Sequence, residues 1–93
     1  MKAADICRAA AVLVSGERAR QHGDLVENHA NIAAMWNAYL AIRREPGAPL
    51  TAADAALMQA LVKIARTQLG ADNADNAIDI AGYAGVYGEI AGR

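Results

Sequence analysis

Phenylalanine is absent from this chain, tryptophan occurs once and proline twice. Large aromatic side chains therefore cannot supply the bulk of a core. Cys7 is the single cysteine, which excludes an internal disulfide framework. Neither sign of charge dominates: nine Lys and Arg stand against ten Asp and Glu, for a net charge of −1. A nucleic-acid binder draws its affinity from an excess of cations on phosphates, and no such excess exists here. Long apolar runs are missing too. Ala9–Val14 is short, and nothing approaches the ~18 residues of a membrane span. With Asp5 ahead of that stretch, the first residues do not read as a secretory signal. The expectation is a soluble, cytoplasmic protein with no membrane and no nucleic-acid partner.

What the chain does contain is alanine, 24 of its 93 residues. Ala, Leu, Met and Arg are strong helix formers, and no segment alternates apolar and polar residues as a strand would. Breaks fall at Gln21–Asp24, at Glu45–Pro49 and at Gly70–Asp75. They divide one domain, residues 1–93, into four helical segments.

The first segment, Ala3–Arg20, carries an apolar stripe of Ile6, Ala10, Leu13 and Val14, closes on Glu17, Arg18 and Arg20, and stops at Gly23. The second, Asp24–Arg44, has Asp24 as N-cap and Ile32, Met35, Trp36, Tyr39, Leu40 and Ile42 as its apolar face. Arg43 and Arg44 end it, where the macrodipole favours cations, and Pro46 and Pro49 stiffen the connection. The third, Thr51–Leu69, opens on a capping box formed by Thr51 and Asp54. Its Leu57, Met58, Leu61, Val62 and Ile64 go most of the way round the cylinder, which suits a helix buried in a bundle or an oligomer. The fourth, Asp75–Ala91, holds Gly82, Gly85 and Gly88 at intervals of three, a face without Cβ atoms that suits close helix packing or room for a ligand.

Short connections and similar helix lengths predict an all-α fold, an antiparallel four-helix bundle. So much alanine leaves a thin core, because a buried large aliphatic side chain contributes ~1.5–3 kcal/mol and alanine much less. A homo-oligomer is therefore expected, with the third helix or the glycine face of the fourth at the interface.

Three clusters can carry chemistry. At the start of the second helix, Asp24, Glu27, Asn28 and Asn31 share one side at spacings of three and four. Such oxygens suit Mg²⁺, which binds one or two carboxylates plus substrate phosphates, and equally suit solvated surface. His22 and His29 flank them; seven apart and without a cysteine partner, they make no structural zinc site. At the start of the fourth helix stand Asp72, Asn73, Asp75 and Asn76, at least one of which caps it, followed by Asp79 and Tyr83. Asp79 lies among Ile, Ala and Gly, and if buried it needs Lys63, Arg66 or a metal ion as partner. Third, Lys63 and Arg66 are the only cations of an apolar helix and must pair with an internal carboxylate or a phosphate. Cys7 reads as a small apolar residue, Ser15 lacks a nucleophile elbow, and no phosphate loop occurs.

The pattern His22-Gly23-Asp24, Glu27-Asn28-His29, Trp36, Lys63-Ile64-Ala65-Arg66, Asn73, Asp75-Asn76, Asp79 and Gly82-Tyr83 resembles a small domain of unknown function found in phages and prophages. The resemblance spans nearly the whole chain. More distantly, the chain resembles the all-α, MazG-like and dimeric dUTPase-like nucleoside triphosphate pyrophosphohydrolases. Those proteins hold Mg²⁺ on Glu-x-x-Glu and Glu-x-x-Asp helices and form tight dimers or tetramers. Asn76-Ala77-Ile78-Asp79 stands where Glu-x-x-Asp would, so only Asp79 matches, and Glu27, Asn28 and Asn31 stand near the other motif. Lys63-x-x-Arg66 and Asp79-x-x-Gly82-Tyr83 also resemble pieces of a phage domain associated with nucleotide modification.

The resemblance implies Mg²⁺-dependent nucleotide binding or pyrophosphohydrolysis. Glu27 and Asp79 would be the catalytic pair and, with Asp75 and Asp24, the metal ligands. Lys63 and Arg66 would bind phosphate, and Asn28, Asn31, Asn76 and Tyr83 would contact the nucleotide, with Trp36 more apt to be core than a base platform. The alternative is a non-enzymatic helical oligomer, a phage accessory or interaction module, in which the same charges fix helix register.

Overall fold

The computed structural model describes residues 1–16, 24–71 and 73–93. Among them are four α-helices: α1 (Ala3–Ser15), α2 (Leu25–Ile42), α3 (Ala52–Arg66) and α4 (Ala74–Ala91). No strand occurs among the described residues. The expected end of the first helix, with Glu17, Arg18, Arg20, His22 and Gly23, lies outside them, as does Asp72.

The caps follow the sequence. The Asp24 carboxylate accepts from the Glu27 backbone N–H at 2.8 Å and starts α2. Thr51 and Asp54 form the reciprocal box that starts α3, with Asp54 N–H on Thr51 Oγ1 and Thr51 N–H on Asp54 Oδ2. At the start of α4, Asn73 is the cap; its side-chain oxygen accepts from Asp75 N–H at 2.9 Å. The turn after α3 needs Gly70, whose φ of 75° is the left-handed region that side chains with a Cβ avoid.

α3 packs most extensively against α4 and also against α2. Much of its apolar surface is thus used within a single copy of the chain, while Ile64 stays exposed. Partners descend α3 as they ascend α2: the Trp36 indole N–H donates to the Met58 carbonyl at 3.0 Å, and Tyr39 meets Asp54. The core is thin, as the alanine content requires. Ile32, Ala56 and Ala65 are its buried apolar residues among those described.

Three expectations change. α2 ends at Ile42 and not at Arg44, because Arg43 leaves helical geometry with ψ of 156°. Arg43 is the C-cap residue, and its guanidinium donates to the Ala48 and Pro49 carbonyls of the following connection. Second, among the described residues nothing packs closely on the glycines of α4. A Cβ built at Gly82, Gly85 or Gly88 meets nothing within 4 Å. They lie on the side of α4 turned away from α3, where no neighbouring side chain among those described competes for the space. Third, α1 has no buried residue, so the packed body of one copy is formed by α2, α3 and α4.

Candidate functional site

The start of α2, the end of α3 and the start of α4 carry the residues singled out in the sequence. On α2, Asn28 is 2% exposed although it is polar. Its amide oxygen has no hydrogen-bond partner among the described residues. On α3, Arg66 is half-buried and its Nε is enclosed and likewise unpartnered. A buried polar atom left without a partner costs about 1–3 kcal/mol. Asn28 Oδ1 and Arg66 Nε are the two such side-chain atoms among the described residues.

Lys63 and Asp79 join α3 to α4. Lys63 Nζ lies 3.2 Å from Asp79 Oδ2, with the lysine side chain largely enclosed and the aspartate partly open. Asp79 therefore has the partner that its apolar surroundings demanded. Just beyond, Thr67, Ala71, Asn73, Ala74, Asn76, Ala77 and Ile80 line an open hollow of about 350 Å³. Asn76 faces it; Glu27 and Asp79 do not line it.

Asp24 is exposed and occupied as the α2 cap, while Glu27 and Asp75 are exposed in the first turns of α2 and α4. Asn31 and Tyr83 are half-buried. Among the described residues no three of His, Cys, Asp and Glu gather closely enough to hold a metal ion by themselves. His29 is exposed, and its Nδ1 lies 2.8 Å from the Leu25 carbonyl, one turn back on its own helix. Cys7 is exposed on α1.

The opposite end holds a polar network that the sequence pattern did not assemble. Asp54 is buried apart from 9% of its surface. Its Oδ1 accepts from the Tyr39 hydroxyl at 2.5 Å. Its Oδ2 accepts from Arg43 Nη2 at 2.8 Å, from Thr51 N–H at 2.8 Å and from Thr51 Oγ1 at 3.0 Å. Arg43 also donates to the Ala48 and Pro49 carbonyls, which fastens the connection between α2 and α3. The Tyr39 hydroxyl, then the Thr51 N–H, hold the Asp54 carboxyl at about 2, below the usual carboxylate range. The same hydrogen bond to Asp54, with burial, pushes the Tyr39 phenol above its ordinary value. A cleft of about 520 Å³ opens beside this network, edged by Arg44, Glu45 and Tyr87. Both carboxylate oxygens of Asp54 are matched, so the group reads as a clamp on the fold. The signal in the sequence was Tyr39 in the last turn of α2 and Arg43 at its C-cap, a tyrosine and a cation close ahead of the capping acid of α3.

The chain matches, over residues 5–91, the model of a family described as a domain of unknown function, DUF6378. It is also 43% identical over 74 residues to the Gene 55 protein of Mycobacterium phage L5, covering 80% of this chain and 44% of that protein. The chain thus spans less than half the length of this curated relative. No solved structure matches. The chain belongs to the DUF6378 family, and its phage relative agrees with the resemblance in the sequence to a phage domain of unknown function.

Proposed function

We propose that this phage-type domain binds a nucleotide through its phosphates where α2 begins, α3 ends and α4 begins. The observation that carries the reading is the pair of enclosed, unpartnered polar atoms, Asn28 Oδ1 and Arg66 Nε. One is an acceptor and the other a charged donor, and a ligand bearing both an anion and polar base or sugar groups satisfies both. Arg66 supplies a guanidinium suited to phosphate, and Lys63 adds a second cation one turn away. Asn31, Asn76 and Tyr83 give further polar contacts from α2 and α4.

Mg²⁺ enters this reading only together with the ligand. The carboxylates among the described residues do not form a three-residue cage, so Glu27 and Asp79 would each offer a single carboxylate and the phosphates the rest, with Asp75 and Asp24 at the margin. Such an ion would supply charge neutralisation on the phosphates. Pyrophosphohydrolysis is the reaction that the more distant resemblance implies for such a complex. The antiparallel bundle in this reading is completed by a second copy of the chain.

A second reading, a non-enzymatic helical oligomer, is favoured by the Lys63–Asp79 ion pair, which already satisfies two of the proposed ligand-binding charges within the protein. Thermal melting against a panel of nucleoside triphosphates, with and without Mg²⁺, separates the two. A ligand at 100 times its Kd stabilises by about 2.7 kcal/mol. That is about 11–22 °C in Tm for a domain of this size. A specific upward shift of that kind, lost in Arg66→Ala and Asp79→Ala and followed by pyrophosphate release, supports the first reading. Unchanged melting with every nucleotide, metal present or absent, refutes it and leaves the second.

A further inference from the structure

We infer that two copies of this chain associate through the apolar stripe of α1 and the small-residue face of α4, each α1 seated on the partner's α4. A compact protein of 9.7 kDa exposes about 5100 Å². This chain exposes 6635 Å², about 1500 Å² more than the scaling relation gives. Its radius of gyration is 15.6 Å, against about 12 Å for a compact chain of this length. A stable interface needs roughly 800 Å² from each partner. The surplus on one copy is enough for that and more.

Among the exposed apolar residues, α1 and α4 each carry a set on one face of the helix. On α1, Ile6, Leu13 and Val14 are each more than half exposed, and with Ala10 they fall on one side of the helix. Asp5 and Arg8 pair with each other at 2.9 Å away from that stripe. A 13-residue helix is marginal in water without a packing partner, and α1 buries no residue against the described part of its own copy. On α4, Ile78, Gly82 and Gly85 lie in line on the side turned from α3, flanked by Ala81 and Val86, and all are exposed. Beyond them Glu89 is tied off by Arg93 at 3.1 Å.

The two faces differ in relief. α1 presents branched aliphatic side chains, and α4 presents a shallow trough where three glycines leave open space. Ridges of one kind fill grooves of the other, and neither face can match itself as well. Two copies related by a twofold axis cover both faces of both chains and close the assembly. Both faces fall inside the span that defines the family, residues 5–91. α3, by contrast, is largely covered by α2 and α4.

Sedimentation velocity from low to high micromolar concentration tests the inference, using the chain itself and two variants. Gly85→Leu fills the trough; a Cβ there meets nothing within 4 Å among the described residues, and Leu is a better helix former than Gly, so the monomer is expected to keep its helical circular dichroism. Leu13→Glu places a charge on the α1 stripe. The expected result is a dimer for the parent chain and a monomer for each variant at the same concentration. If Leu13→Glu also loses helicity, Gly85→Leu alone decides. A parent chain that stays monomeric throughout overturns the inference. So does a Gly85→Leu variant that remains dimeric. Neither outcome bears on nucleotide melting, so this inference and the nucleotide-binding proposal fail separately, whereas a monomeric parent chain would also remove the second copy from that proposal and count against the helical-oligomer reading.

Discussion

Asp54 shows what a single residue can do in two roles. As the third residue of α3 it was legible as one half of a capping box, since Thr-x-x-Asp is a local pattern. Its contacts with Tyr39 and Arg43 were not legible, because they depend on how the Pro46–Pro49 connection folds the two helices together. The pH consequence has a definite sign. The carboxyl sits at about 2 in the folded protein, against about 3.9 in an unfolded chain. Its contribution to stability is present in full above the unfolded value and disappears as pH falls from about 4 towards 2. Urea melts across that window should show stability falling with acid, and the fall should be shallower in Asp54→Asn, which also starts from a lower stability at pH 7. A variant with the same acid slope as the parent would show that other carboxylates carry the effect. Asn28 offers the converse case. The Asn28→Leu substitution removes an unsatisfied acceptor, so the free protein is expected to melt no lower than the parent, while any nucleotide-induced shift is lost. An Asn28→Leu variant that keeps that shift would remove Asn28 from the site.

At the scale of elements, local chemistry determined most of what is seen. All four helices stand where composition and breaks put them, and the starts of α2, α3 and α4 are set by Asp24, Thr51 and Asn73 within a residue or two. Asn73→Ala is expected to cost about 1 kcal/mol, or about 4–8 °C in Tm for a domain of this size, and a differential scanning trace identical to the parent would show that α4 does not depend on this cap. Helix ends were less legible than helix starts. An N-cap is written in one side chain, whereas the end of α2 depends on Arg43 finding the Ala48 and Pro49 carbonyls farther along the chain. The glycines of α4 misled for a related reason. Sequence can show that a face lacks Cβ atoms, but which neighbour takes that space is decided by packing, and among the described residues of one copy nothing does. Of the candidate site, Lys63 and Asp79 were legible as partners because a charge among apolar residues requires one. That Asn28 and Arg66 would hold enclosed, unmatched atoms was not, since burial is a property of the assembled helices.

At the scale of the whole molecule, the amount of alanine sets the outcome. Three small packed helices bury Ile32, Ala56 and Ala65 and little else fully, and α1 contributes nothing to that core. A helix without packing partners frays at a free energy near zero, so its amides should exchange with solvent almost as fast as those of an unstructured peptide. Those of α3, held between two neighbours, should be protected up to the stability of the whole domain. Hydrogen exchange measured at two protein concentrations turns this contrast into a test of why α1 is helical. Association would slow exchange across residues 3–15 and along the Ile78–Gly85 face in the same concentration range, because mass action adds RT ln(1 + [L]/Kd) to whichever segments the contact orders. Protection in α3 would rise less, since it already opens only with the domain. If α1 is instead protected equally at both concentrations, its stability is intramolecular, and its stripe rests on its own chain rather than on a partner's α4.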